Sequence, residues 1–182
     1  MNKRLFFALD ILPSDKALIA NWRDSKLNLP FKAIAVDNFH ITLAFLGNVT
    51  SQQQALLSNK ADEIVQQVLS IKIPPLKISD PLLLNSIGLF KKPQVLYLGL
   101  KTCPNWLKQL AESLTVQSKL IGLFQEERAY LPHLSLYRKA SDITNSFQLQ
   151  MPLEIKSFSL YQSSSTEYGV SYCVIKTWQL CI

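Results

Sequence analysis

The chain has 182 residues, of which 48% are hydrophobic and 18% charged, with a formal net charge of +6. This suits one sizeable core, excludes disordered and fibrous chains, and hints at an anionic partner. Five scattered glycines (Gly47, Gly88, Gly99, Gly122, Gly169) form neither GxGxxG nor P-loop, two histidines cannot supply a three-histidine zinc site, and Cys103, Cys173 and Cys181 contain no CxxC, so buried reduced thiols are expected.

Met1 to Leu9 imitates a signal peptide, but Asp10 interrupts the apolar run and no small-residue cleavage site follows. No stretch is long enough to span a membrane, so a cytoplasmic protein is expected. Leu5–Leu9 reads as a strand covered on both faces. Pro13-Ser14 opens a helix to about Leu27, with Ser14 as N-cap and Leu18, Ile19 and Trp22 facing inward. His40–Leu46 reads as a strand closed by Gly47-Asn48. Thr50 and Gln53 form a capping-box pattern, and Leu57, Ala61, Ile64, Val65 and Val68 follow at helical spacing until Pro74-Pro75.

Leu82–Leu84, Ile87–Phe90 and Val95–Leu100 read as strands, with a turn at Lys91-Lys92-Pro93. Asn105 to about Ile121 carries Leu107, Leu110 and Leu114 on one helical face and ends near Gly122. His133–Tyr137, Ile155–Tyr161 and Tyr172–Trp178 complete the strands, with Ser163 to Glu167 as a polar loop. Short turns between successive strands predict an α+β fold with mainly antiparallel sheets, and no linker divides residues 1–182 into separate domains.

The two histidines begin matching segments, His40-Ile41-Thr42-Leu43 and His133-Leu134-Ser135-Leu136, and none is left over. Residues i and i+2 of a strand share a face, so each segment presents an imidazole beside a hydroxyl and turns its aliphatic residues inward. Imidazole titrates near neutrality, so one ring can take a proton while the other gives one. Hydroxyls donate to phosphate oxygens. Two such segments around one groove suit in-line phosphodiester chemistry. The competing reading is two unrelated histidines at strand edges, with Thr42 and Ser135 as ordinary strand residues. A metal site finds only Asp37 close in sequence to His40. Arg138 follows the second segment and can clamp phosphate oxygens or lie solvated at a strand end. Arg128 and Lys139 read as surface charges, and Trp22, Trp106 and Trp178 as core. Phe6, Phe7 and Tyr137 are candidates for base stacking.

With both segments in hand, the chain resembles the 2H phosphoesterase superfamily, and within it the bacterial RNA 2′,3′-cyclic phosphodiesterases, also called 2′-5′ RNA ligases. The resemblance is carried by Arg4–Leu9, Asp37–Gly47, Gly88–Phe90, Val95–Gly99, Pro132–Arg138, Leu160–Ser163 and Tyr172. It implies a bilobal, pseudo-symmetric α+β fold with the two motifs facing across a central cleft, helices flanking the sheets. It implies hydrolysis of RNA 2′,3′-cyclic phosphate ends to 2′-phosphates without metal or other cofactor, and 2′-5′ joining by the reverse reaction. His40 and His133 are then the catalytic pair, with His40 as acid to the 3′-oxygen and His133 as base to water. Thr42, Ser135 and Arg138 hold the phosphate. Ser135 stands where the family more often has threonine, a loss of one methyl that loosens its aim. RNA ends, tRNA fragments among them, are the implied partner, and a monomer is the default. Other readings are a 2H activity on a small cyclic nucleotide or 2′-5′ oligonucleotide, and a non-catalytic RNA-binding module.

Overall fold

The computed structural model describes residues 2–70, 81–123, 129–141, 148–167 and 169–180, leaving aside the side chains of 67–70. Strand β1 (Lys3–Leu9) has no solvent contact at Leu5, Phe7 and Leu9. Helix α1 (Pro13–Trp22) continues as a π-helical turn over Arg23–Leu27. Ser14 is not its cap: Leu12 takes that position, and Pro13 starts the helix without a side-chain cap because its missing N–H needs none. The inward face is Ile19, Ala20 and Leu27, whereas Leu18, expected inside, is exposed.

Arg23 is buried where α1 gives way to the π turn. Its Nη1 donates to the Ile34 carbonyl at 2.6 Å, and its guanidinium lies over the rings of Phe39 and Tyr137. It thereby ties down the segment leading to His40. That segment holds a short strand β2 (Lys32–Ala33) and a 3₁₀ turn at Val36–Asn38, neither visible as a periodic pattern.

Strand β3 (Ile41–Val49) is followed by helix α2 (Ser51–Ser70). The capping box forms: Gln53 N–H donates to Thr50 Oγ1 at 3.2 Å, and Thr50 N–H to Gln53 Oε1 at 3.1 Å. Leu57, Ala61, Ile64 and Val65 are buried as their spacing requires; the Val68 side chain and Pro74-Pro75 lie outside the described residues. Next come β4 (Leu82–Leu84), β5 (Ser86–Phe90), β6 (Val95–Gly99), α3 (Asn105–Leu120) and β7 (His133–Arg138). The chain finishes with β8 (Met151–Leu153), β9 (Ser157–Thr166) and β10 (Gly169–Gln179). The serine run expected as a loop is therefore strand, with Ser163 opposite Tyr172 and Ser165 opposite Val170.

The main sheet has the order β10-β9-β1-β3-β7-β6-β5, with β2 added on β7; β4 pairs β8 separately. All pairings are antiparallel. The fold is thus α+β, and the sheet has two halves that meet at a single bridged pair, Ile41 opposite Leu134. Each half brings its motif strand to that seam: β3 is flanked by β1, and β7 by β6.

Both motif strands carry the same irregularity. In β3, Thr42 faces Ala8 and Ala44 faces Phe7, so Leu43 is an extra residue. In β7, Ser135 faces Tyr97 and Tyr137 faces Leu96, so Leu136 is extra. Each is a β-bulge three residues after the histidine. Two consecutive residues are then buried, Leu43 and Ala44 in one half, Leu136 and Tyr137 in the other. Among the described cysteines, Cys103 is half-buried but Cys173 is exposed on β10, against expectation, because β10 edges the sheet.

Candidate active site

The seam places the four motif side chains together. Ile41 and Leu134 are fully buried beneath the sheet, while His40, Thr42, His133 and Ser135 are half-buried on the opposite face. The Ile41–Leu134 pair brings His40 and Thr42 of one strand alongside His133 and Ser135 of the other, near enough for His133 and Arg138 to act electrostatically on His40.

The two imidazoles are anchored alike. His40 Nδ1 lies 2.7 Å from the Asn38 carbonyl, and His133 Nδ1 lies 2.8 Å from the Leu131 carbonyl, each two residues upstream. A carbonyl only accepts, so Nδ1 carries the proton and donates in both rings. Whenever either ring is neutral, Nε2 is its proton-accepting atom.

Aromatic rings wall both imidazoles. Phe6, Tyr161 and Tyr172 surround His40, with Phe6 and Tyr172 centroids 5.0 and 5.1 Å away. Phe90 and Tyr97 meet His133 edge-on at 4.8 and 5.3 Å. Tyr97 lies across Gly88, where any Cβ would collide with its ring; this is why glycine occupies the centre of β5. Tyr161 is fixed by a carboxylate. Asp10 accepts from Tyr161 OH at 2.5 Å, Ser157 Oγ at 2.5 Å and Ser159 Oγ at 2.9 Å, three residues sharing one face of β9.

Burial among these rings pushes the His40 pKa down to about 4. The bond to Asn38 opposes the shift, and electrostatic repulsion from His133, Lys16 and Arg138 adds to it. The groove is therefore cationic around a proton-free imidazole.

The bulges decide what else faces the groove. Strict alternation from His133 and Ser135 would turn Tyr137 outward and Arg138 inward. With Leu136 extra, Tyr137 is buried and Arg138 is exposed opposite Val95. Phe45 holds the matching position in β3, five residues after its histidine, and is 48% exposed opposite Phe6. The Arg4 guanidinium lies over its ring at 5.1 Å. Of the aromatics singled out by sequence, Phe6 underlies His40, whereas Phe7 and Tyr137 belong to the core and cannot stack on a base. Trp178 is core, and Trp22 and Trp106 pack against it. Lys139 is exposed, and Arg128 lies outside the described residues. Lys16 and Asp10 carry no motif signal, and Phe45 and Tyr161 lie in segments that carry the resemblance without a role of their own; the pairing register and tertiary contacts bring all four to the site.

A fold of two half-sheets joined at paired histidine strands defines a phosphoesterase of the 2H class. A model of the LigT-like phosphoesterase family matches residues 12–97. The RNA 2′,3′-cyclic phosphodiesterase of Escherichia coli K12 is 32% identical, covering 98% of this chain and 97% of its own length. The protein of the same name from Methanocaldococcus jannaschii is 31% identical over 96% of this chain and 99% of its own. The crystal structure of E. coli LigT complexed with 3′-AMP superposes with a TM-score of 0.84 at 31% identity, covering 99% of both chains. The chain belongs to the LigT-like 2H phosphoesterase family.

Proposed function

We infer that this protein is a phosphodiesterase that opens 2′,3′-cyclic phosphates at RNA ends, leaving a 2′-phosphate and a free 3′-hydroxyl. The observation that supports the mechanism is the twin anchoring of His40 and His133 through Nδ1, which makes Nε2 the atom of each ring that exchanges a proton with the substrate. The cyclic phosphate sits between them. His133 takes a proton from water as its oxygen bonds to phosphorus. The P–O3′ bond breaks in line, and His40 gives its proton to the departing 3′-oxygen. In the empty groove His40 is neutral at pH 7, so it takes up its proton as the anionic phosphate enters. Thr42 and Ser135 donate to the non-bridging oxygens, and Arg138 balances the charge that builds on them.

With the 5′-hydroxyl of another RNA in place of water, the same attack on phosphorus breaks the P–O3′ bond, returns a proton to the 3′-oxygen and joins the two ends through a 2′-5′ bond. Fragments of tRNA are one source of such ends. One chain supplies both histidines, so residues 1–182 act as one domain and the monomer is the working unit. The Phe45 ring, 48% exposed and with the Arg4 guanidinium over it, offers a platform for a base.

The test is turnover of an oligoribonucleotide ending in a 2′,3′-cyclic phosphate, in the presence of EDTA. The intact protein converts it to the 2′-phosphate, and His40→Ala and His133→Ala each slow conversion by about 10²–10⁴. Activity that needs added divalent metal, or that survives both substitutions, refutes the mechanism.

A further inference from the structure

Lys16 sits in the first half of α1, outside both motifs. Its side chain is half-buried, and its ammonium donates to the Asp37 carbonyl at 2.7 Å. The next carbonyl along, that of Asn38, accepts from His40 Nδ1. Successive peptides of one 3₁₀ turn therefore hold the ammonium and the catalytic imidazole, so Lys16 is fixed at the His40 end of the groove. Among the described residues no carboxylate lies within ion-pair distance of it. Asp37 and Asp10 are close enough only to favour its charged form against the opposing effect of burial. The carbonyl uses one of its three N–H donors. Arg138 stands on the other half of the sheet, on the strand that starts with His133.

Two cations thus flank the histidine pair, one in each half. A 2′,3′-cyclic phosphodiester carries a single negative charge, which Arg138 and the two hydroxyls already meet. A second fixed cation matches a second phosphate. In an RNA end, the terminal ribose carries one: the phosphodiester on its 5′ side, linking it to the rest of the chain. We propose that Lys16 binds this 5′-side phosphodiester and so makes the enzyme select RNA ends over free cyclic nucleosides. This rests on the phosphodiesterase reading above.

The experiment compares two substrates: a short oligoribonucleotide ending in a 2′,3′-cyclic phosphate, and a nucleoside 2′,3′-cyclic phosphate with a free 5′-hydroxyl. Lys16→Met keeps the aliphatic stem and removes the charge. It raises KM for the oligonucleotide about tenfold and leaves KM for the nucleoside within twofold, while any change in kcat transmitted through His40 is shared by both substrates. Its log–log salt slope on the oligonucleotide flattens by about 0.7, the loss of one phosphate contact on a single strand. Lys16→Arg restores the KM. Equal rises in KM on both substrates, or no rise on either, overturn the assignment. If the intact protein turns over neither substrate, the phosphodiesterase reading fails first and this assignment with it.

Discussion

Lowering the pH from neutrality should weaken the fold through His40 in particular. In the unfolded chain a histidine titrates near 6.5, whereas the folded protein holds His40 near 4. Between these values the unfolded chain binds a proton that the folded one refuses, so stability falls as the pH falls through that window. Above about pH 6.5 both states are neutral and the penalty is absent. For the two pKa values, the loss between about pH 7.5 and pH 5 is about 2 kcal/mol, and it grows further as the pH falls toward 4. Urea unfolding of the intact protein and of His40→Gln, at several pH values across this window, isolates the effect. The carboxylates titrate in both proteins and cancel, so the stability difference should change by about 2 kcal/mol between the two ends. Parallel pH curves for the two proteins would refute the burial argument.

Two further perturbations probe the walls of the groove. Gly88→Ala forces the Tyr97 ring out of its place over β5, away from Phe90 at 4.4 Å and His133 at 5.3 Å. Stability should fall by about 1 kcal/mol, the worth of the lost ring contacts, and kcat should fall with it; the double variant Gly88→Ala, Tyr97→Ala should show no added clash cost in a mutant cycle. Asp10→Ala removes the acceptor for the Ser157, Ser159 and Tyr161 hydroxyls and should lower stability by about 3 kcal/mol, with Asp10→Asn recovering about half. An unchanged denaturation midpoint for Asp10→Ala would show that the carboxylate does not hold β9.

Much of this was legible in the sequence where a local rule sufficed. The capping box of Thr50 and Gln53, the stripe on α2 and the apolar strand at Leu5–Leu9 follow from spacing alone. The two histidines announced themselves by repeating one pattern, and the seam brings them together. What spacing could not give is the pairing between strands. Alternation from Ser135 predicts a face for Tyr137 and Arg138 that the bulge at Leu136 reverses, so Tyr137 looked available to a base while it lies in the core. The serine run at 163–165 looked like a loop because its composition is polar; its pairing with β10 makes it strand. Lys16 and Asp10 reach the site through the turn at Val36–Asn38 and through β9, contacts of high sequence separation that no window of residues contains.

The matched bulges have a bearing on transplanting this chemistry. A motif copied as His-x-Ser-Leu into a regular strand would keep imidazole and hydroxyl aligned but send the following arginine to the wrong side. Deleting Leu136 from the natural strand would instead keep Tyr137 inward and Arg138 outward by plain alternation, while drawing the guanidinium one residue closer to Ser135. The smallest portable unit is the six-residue run from His133 to Arg138 together with the partner strand that accommodates its extra leucine. Moving that run into a strand that lacks the bulge is therefore a change of chemistry, even with every residue kept.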